Sequence, residues 1–247
     1  AEDGIRDAQE SRGLGDVYKG QDNKEFQNID VIVIDHHLSE INLPNVLAII
    51  NPNCIGDTSD YKQLAAVGVT FLFLMYLRKK LRELNKFKEI KEPNLLSYLD
   101  LVALGTVCDV VELKTYNRLF VKKGLELIHK RYHRGIAKLI DNSKIASSPT
   151  SQDLGFVVGP QINAASRIDD SSLASKLLIS NDSEQIDFIS RKLFLLNEKR
   201  KLIESQILDD ANSQAANQSN SNFILDFGNN WHQGVLGIIA SKIKDIY

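Results

Sequence analysis

The chain has 247 residues, 43% of them hydrophobic and 25% charged, with a formal net charge of -2. Those values are ordinary for a globular protein with an ample core, and they exclude a globally basic nucleic-acid binder, so any contact with nucleic acid must come from local patches. Cys54 and Cys108 are far apart and in unrelated contexts, which excludes a disulfide framework and favours a reducing, cytoplasmic setting. No run reaches the roughly 18 apolar residues of a membrane span, and the start lacks a signal-peptide pattern.

Residues 1–27 are polar, rich in Gly, Asp, Gln and Lys, and carry no sustained period, which reads as a loop or a fraying end. Ile29 to Ile34 form the first expected strand. Its β-branched run reads as a strand of a parallel sheet covered on both faces. It ends in Asp35-His36-His37, three metal-capable side chains at the carboxyl end of a strand, where open α/β sheets place their sites. A helix N-cap followed by two ordinary histidines remains the bland alternative. Leu43-Pro44-Asn45 turns the chain into a second strand, Val46 to Ile50, which Asn51-Pro52-Asn53 ends with turn chemistry.

Leu64 to Leu84 shows helical spacing with basic residues gathered at its C-terminal end. Leu95 to Leu104 is a second helix, and it delivers the segment Gly105-Thr106-Val107-Cys108-Asp109. Asp109 is another lone acid in an apolar run. A buried carboxylate is costly unless paired or bound to a cation, so Asp35 and Asp109 in one domain suggest a shared metal. Cys108 reads as packing rather than as a ligand.

Asn117 to His133 is a third helix, with Gly135 as its expected C-cap. His129 and His133 stand four apart, a spacing that admits a metal pair, although a solvated basic surface explains the run equally well. Asp141 to Asp153 reads as a Ser-rich connector. Gly159 to Arg167 is dense in small residues, and reads either as a close-approach segment or as a tight turn into the next helix. Ser171 to about Ala216 is nearly continuously helical, either a solvated surface or a strut between domains. Gln214 to Asn222 is a polar break, Phe223 to Phe227 an expected strand, and Trp231 to Ser241 a turn running into a helix.

Four segments occur in the order and approximate spacing of the RecJ single-strand-specific exonucleases of the DHH phosphoesterase superfamily. They are the strand ending in Asp35-His36-His37, Gly105 to Asp109, Gly159 to Arg167, and Trp231 to Ala240. The chain resembles that family over roughly residues 28–247. The resemblance implies an α/β fold: a parallel-sheet DHH domain flanked by helices over 28–170, connecting helices over 171–216, and the truncated start of a DHHA1-type substrate-binding domain over 217–247.

It also implies metal-dependent hydrolysis of single-stranded DNA, 5′ to 3′, in repair and recombination, with Mn2+ or Mg2+ as cofactor. Single-stranded DNA is then the partner, with no membrane. His36 and Asp109 match the family's metal ligands, and Asp35 is a direct or indirect ligand. His37 faces the scissile phosphate. Asn163 and Arg167 match the substrate-phosphate segment, and Gln161 and His232 complete the substrate-binding set. Gln161 stands where the family usually has Arg, and Ser166 where it usually has Gly. The family's leading Asp-x-Asp strand is not found; Asp3-Gly4-Ile5 is similar to its tail alone, with flanks and spacing that fit poorly. A phosphoesterase acting on small nucleotides, and a silent nucleic-acid-binding module, stay open as alternatives.

Overall fold

The computed structural model describes residues 29–39, 41–145, 148–218 and 223–247. The chain divides between Gly159 and Pro160 into two compact units. In the first, β1 (Ile32–Ile34) and β2 (Ala48–Ile50) pair in parallel, with Ile32 opposite Ala48 and Ile34 opposite Ile50. Asp35 continues the pairing through its amide, which donates to the Ile50 carbonyl at 3.1 Å. Both strands are shorter than the sequence suggests. Val33 is buried on one face and Ile34 packs against the core from the other, while Ile32 at the start of β1 is 46% exposed.

Helices α1 (Ala66–Glu83), α2 (Leu99–Cys108), α3 (Thr115–His129) and α4 (Arg134–Asn142) follow. Leu64, Val69, Phe71, Leu95, Leu99, Val102 and Phe120 form the core, with Ile34 and Ile50 of the sheet packed against it. The Phe71 and Phe120 rings meet edge-on at 5.4 Å, the arrangement their quadrupoles favour. α2 is apolar around nearly its whole circumference, as a helix buried on all sides must be. It lies against α3 so closely that a Cβ on Gly124 would overlap the Leu99 carbonyl oxygen and the Ala103 methyl.

One buried group in α2 runs against the apolar rule. Asp100 is fully buried, and its Oδ2 has no hydrogen-bond partner among the described residues, while Oδ1 accepts from the Leu101 amide at 2.8 Å. Burial pushes its carboxyl above the ordinary 3.8, with the Leu101 amide and His133 pulling the other way. The folded chain therefore holds this proton more tightly than the unfolded chain does. Below about pH 3.8 the site carries no charge penalty, and stability is lost as pH rises through the raised value. Asp100→Asn is expected to unfold at a higher temperature than wild type near about pH 7, with the gap closing near about pH 3. Calorimetric scans across that range check it.

α4 overturns the expected end of the third helix. α3 stops at His129, Arg131 takes a left-handed φ of 56°, and His133 caps α4 by accepting from the Ile136 amide. Gly135 is thus inside the first turn of α4 rather than a C-cap. The expected connector over 141–153 begins while α4 is still running. A single turn, Ser151–Asp153, with a Thr150 capping box, leads through a π-helical stretch, Leu154–Val158, into α5 (Gly159–Ile168). The small-residue segment is thus helix, not turn.

In the second unit, α6 (Ser172–Ile179) and α7 (Ser183–Ala216) are separated at Ser180–Asp182, where Asp182 caps α7 through the Glu184 and Gln185 amides. α7 spans 34 residues, about 51 Å at 1.5 Å per residue. Its later half packs on α8 (Leu236–Ile246) through Ile207, Ala211, Ala215, Val235, Ile239 and Ile243. The expected strand at Phe223 to Phe227 is extended but pairs with no strand among the described residues. Side chains in the last turn of α7 and just beyond it take the place of a neighbour. Gln218 donates to the Leu225 carbonyl and accepts from its amide, and Gln214 does the same at Phe227. Among the described residues no helix is long and apolar enough to cross a membrane.

Candidate metal centre

Asp35 directly follows β1, and Asp109 directly follows α2. Asp109 is the residue that closes α2, and the chain turns sharply after it, with Val110 in a left-handed conformation at φ 58°. For a β-branched residue that backbone is strained, and it sits beside the one carboxylate that α2 presents. His36 Nε2 lies 3.2 Å from Asp109 Oδ2, with the imidazole 15% and the carboxylate 34% exposed. The two lone acids of the sequence are thus joined through His36, the neighbour of Asp35 in the chain.

Asp35 is itself buried, at 6% exposure. Its Oδ1 accepts from the His36 amide at 2.7 Å, the His37 amide at 3.3 Å and the His37 Nδ1 at 2.7 Å. Burial alone would push the Asp35 carboxyl up. The His37 ring and the two amides outweigh burial and hold the carboxyl below the ordinary 3.8. The Asp35 carboxylate accepts from His37 Nδ1–H, which orients a ring that is 45% exposed. The His36 and His37 rings lie 4.4 Å apart and tilted.

Two residues that the sequence marks only as turn formers hold this loop. Asn51 Nδ2 donates to the His37 carbonyl at 2.8 Å, and Asn53 Nδ2 to the His36 carbonyl at 2.6 Å and the Lys62 carbonyl at 3.0 Å. Asn51 Oδ1 in turn accepts from the Asn53 amide at 2.8 Å. The turn after β2 is therefore a clamp on the loop after β1. Its signal in the sequence is an Asx side chain on each side of Pro52, a pattern that serves local turns as readily as distant carbonyls. Asn53→Ala frees both carbonyls and is expected to lower turnover about 10- to 100-fold, the range for outer-shell supports. Steady-state kinetics beside a thermal melt would check it.

The donor set fits a hard divalent cation. An imidazole nitrogen and a carboxylate oxygen about 3 Å apart are spaced as neighbouring ligands of an octahedral ion with bonds of roughly 2.1 Å. Among the described residues no third His, Cys, Asp or Glu joins them in a metal-holding group. Asp3 lies outside the described residues. Cys108 is not a donor here: burial pushes its thiol up to about 11, Asp109 adds to the effect, and its Sγ packs over Gly159. His129 and His133 do not form a pair. His129 Nδ1 bonds Ser148 Oγ at 2.8 Å at the end of α3, while His133 caps α4.

The remaining candidates belong to the second unit. Gln161 is buried at 1% exposure, Asn163 is exposed, and Arg167 is half-buried with Nη1 donating to the Gly234 carbonyl at 3.1 Å. His232 accepts from the Gly234 amide through Nδ1 at 3.1 Å. A Cβ on Gly234 would overlap the Arg167 carbonyl oxygen, so this close approach requires glycine.

The family model described as "DHH family, N-terminal domain" matches residues 7–106. The single-stranded-DNA-specific exonuclease RecJ of Dickeya dadantii is 41% identical over 237 residues, 92% of this chain and 41% of the relative. The chain is RecJ-like and carries a DHH domain. The Bacillus subtilis protein of the same name is 32% identical over 94% of this RecJ-like chain and 28% of its own length. A crystal structure of exonuclease RecJ bound to manganese superposes with a TM-score of 0.76 at 27% identity, covering 94% of this chain and 55% of that one. RecJ from Thermus thermophilus in complex with Mn2+ gives 0.75 at 27% identity over 100% of this chain and 37% of that one. The RecJ-like chain thus spans about two fifths of the Dickeya relative. The family model also reaches back into residues that composition alone assigns to a loop or fraying end.

Proposed function

We propose that this chain hydrolyses phosphodiester bonds in single-stranded DNA, from the 5′ end, in repair and recombination in the cytoplasm. The observation that carries the reading is the approach of His36 Nε2 to Asp109 Oδ2 at 3.2 Å beside an Asp35 that orients His37. It is supported by relatives named as single-stranded-DNA-specific exonucleases and by RecJ structures holding Mn2+ or Mg2+. Residues 28–170 serve as the DHH domain, 171–216 as connecting helices, and 217–247 as the opening of a DHHA1-type substrate-binding domain.

His36 and Asp109 would hold Mn2+ or Mg2+, and Asp35 supports the site through its hydrogen bonds. Such an ion supplies charge cover for a phosphodiester and lowers the pKa of water. His37, with Nδ1–H committed to Asp35, presents Nε2 to the scissile phosphate. Asn163, Gln161, Arg167 and His232 contribute to substrate binding, and Arg167 is suited to pair two phosphate oxygens.

Turnover of 5′-labelled single strands, duplexes and dinucleotides with Mn2+ tests the reading. Preferential loss of nucleotides from the 5′ end of single strands is expected. Cleavage of dinucleotides alone would select a small-substrate phosphoesterase, and binding without cleavage a silent module.

A further inference from the structure

Three cations share one carboxylate in the second unit, drawn from α5, α7 and α8. Arg200 and Glu204 lie one turn apart on α7, and their side chains are 13% and 11% exposed. Arg200 donates through Nε and Nη2 to Asn197 Oδ1 at 3.2 and 3.1 Å, and through Nη1 to Glu204 Oε2. Lys242 of α8 reaches the other oxygen of Glu204 at 2.6 Å. One carboxylate therefore already serves two cations.

Arg167, at the end of α5, is the third. Its hydrogen bond goes to the Gly234 carbonyl, and among the described residues no carboxylate stands at ion-pair distance. Burial opposes its charge first, and Arg200 beside it opposes it further, with Glu204 offering partial relief. A guanidinium does not shed its proton to escape such a position. Like charges held half-buried are costly unless an anion joins them. Most donors on Arg167, and some on Arg200 and Lys242, remain uncommitted to described residues. Arg200 and Lys242 hold the same Glu204 from α7 and α8, and Arg167 on α5 feels the charges of Arg200 and Glu204, an arrangement of donors that a tetrahedral group with several acceptor oxygens satisfies better than a planar carboxylate.

We propose that Arg200 and Lys242, braced by Glu204, join Arg167 in an oxyanion site that grips a phosphodiester of the bound strand. The family resemblance points to Arg167; its partners on α7 and α8 are what the geometry adds. The identity of the ligand as a nucleic-acid phosphate rests on the nuclease reading above.

Two probes separate the site from that reading. Inorganic pyrophosphate, titrated into the 15N-labelled chain, is expected to shift the Nε–H resonances of Arg167 and Arg200 together. Labelled single-stranded DNA, bound with divalent metal withheld, is expected to bind about fivefold more weakly to Lys242→Gln at roughly 0.1 M salt, with the salt slope reduced by about 0.7, the value of one lost contact to a single strand. Arg200→Lys keeps the charge but loses the fork, and is expected to weaken binding in the same direction.

Lys242 is about half exposed, so its substitution tests the site without relying on the fold-sensitive Arg200. Unchanged DNA affinity and slope in both variants, or pyrophosphate that moves neither resonance, overturns the site even if DNA is cut. Pyrophosphate that moves both resonances in a chain that neither binds nor cuts DNA retains the oxyanion site and overturns the nuclease reading.

Discussion

Asp109→Asn is expected to lower Mn2+-dependent hydrolysis of single-stranded DNA by at least about 10³-fold, since an ion's charge cover for the transition state is worth several kcal/mol. The amide keeps the volume of the carboxylate but surrenders the anion that faces His36 Nε2 at 3.2 Å. His36→Ala removes the other donor and is expected to match it. The losses should not multiply in the double variant, because the two side chains would serve one ion. Calorimetry with Mn2+ gives the independent readout: a chain lacking either donor should bind the ion more weakly than wild type while melting at a similar temperature. Wild-type turnover in Asp109→Asn would dismantle the assignment.

Gly124→Ala is expected to be a highly damaging small change in the first unit. The added methyl would overlap the Leu99 carbonyl oxygen and the Ala103 methyl, so α2 and α3 must part. Overpacking of this kind costs about 3 kcal/mol or more where backbone cannot yield, equivalent to roughly 6–12 °C in melting temperature for a chain of this size. Because α2 carries Asp109 at its end, activity should fall with stability. Gly56→Ala is the control. Gly56 has φ 88° and open space around its α-carbon, so only the backbone penalty of about 1–2 kcal/mol applies and turnover should hold. Thermal melts of the two variants side by side give the comparison.

The parts of this molecule that were legible in the sequence are those with one dominant cause. The β-branched run before Asp35 could hardly be other than a strand, and the apolar helix before Asp109 had to be buried. Each acid ends its element, and His36 beside Asp35 meets Asp109. Elements that depend on partners distant in sequence were less readable. His133 and Gly135 look like the tail of one helix, yet Arg131 at φ 56° breaks it and His133 begins another. Gly159 to Arg167 reads equally well as turn or helix, and packing of Gly159 against Cys108 accompanies its helical form. The clamp of Asn51 and Asn53 on the histidine carbonyls was hidden because its targets lie 14 and 17 residues upstream.

The pairing of Gln214 and Gln218 with the extended segment before Trp231 has a dynamic consequence. The amides of Leu225 and Phe227 are held by side-chain carbonyls at 2.9 and 3.2 Å, not by a neighbouring strand. Each such bond opens with a single rotamer change near the frayed end of a long helix, without any cooperative unzipping. Deuterium should therefore enter these two positions far sooner than it enters the Asp35 amide, which donates to the Ile50 carbonyl of the β1–β2 ladder at 3.1 Å.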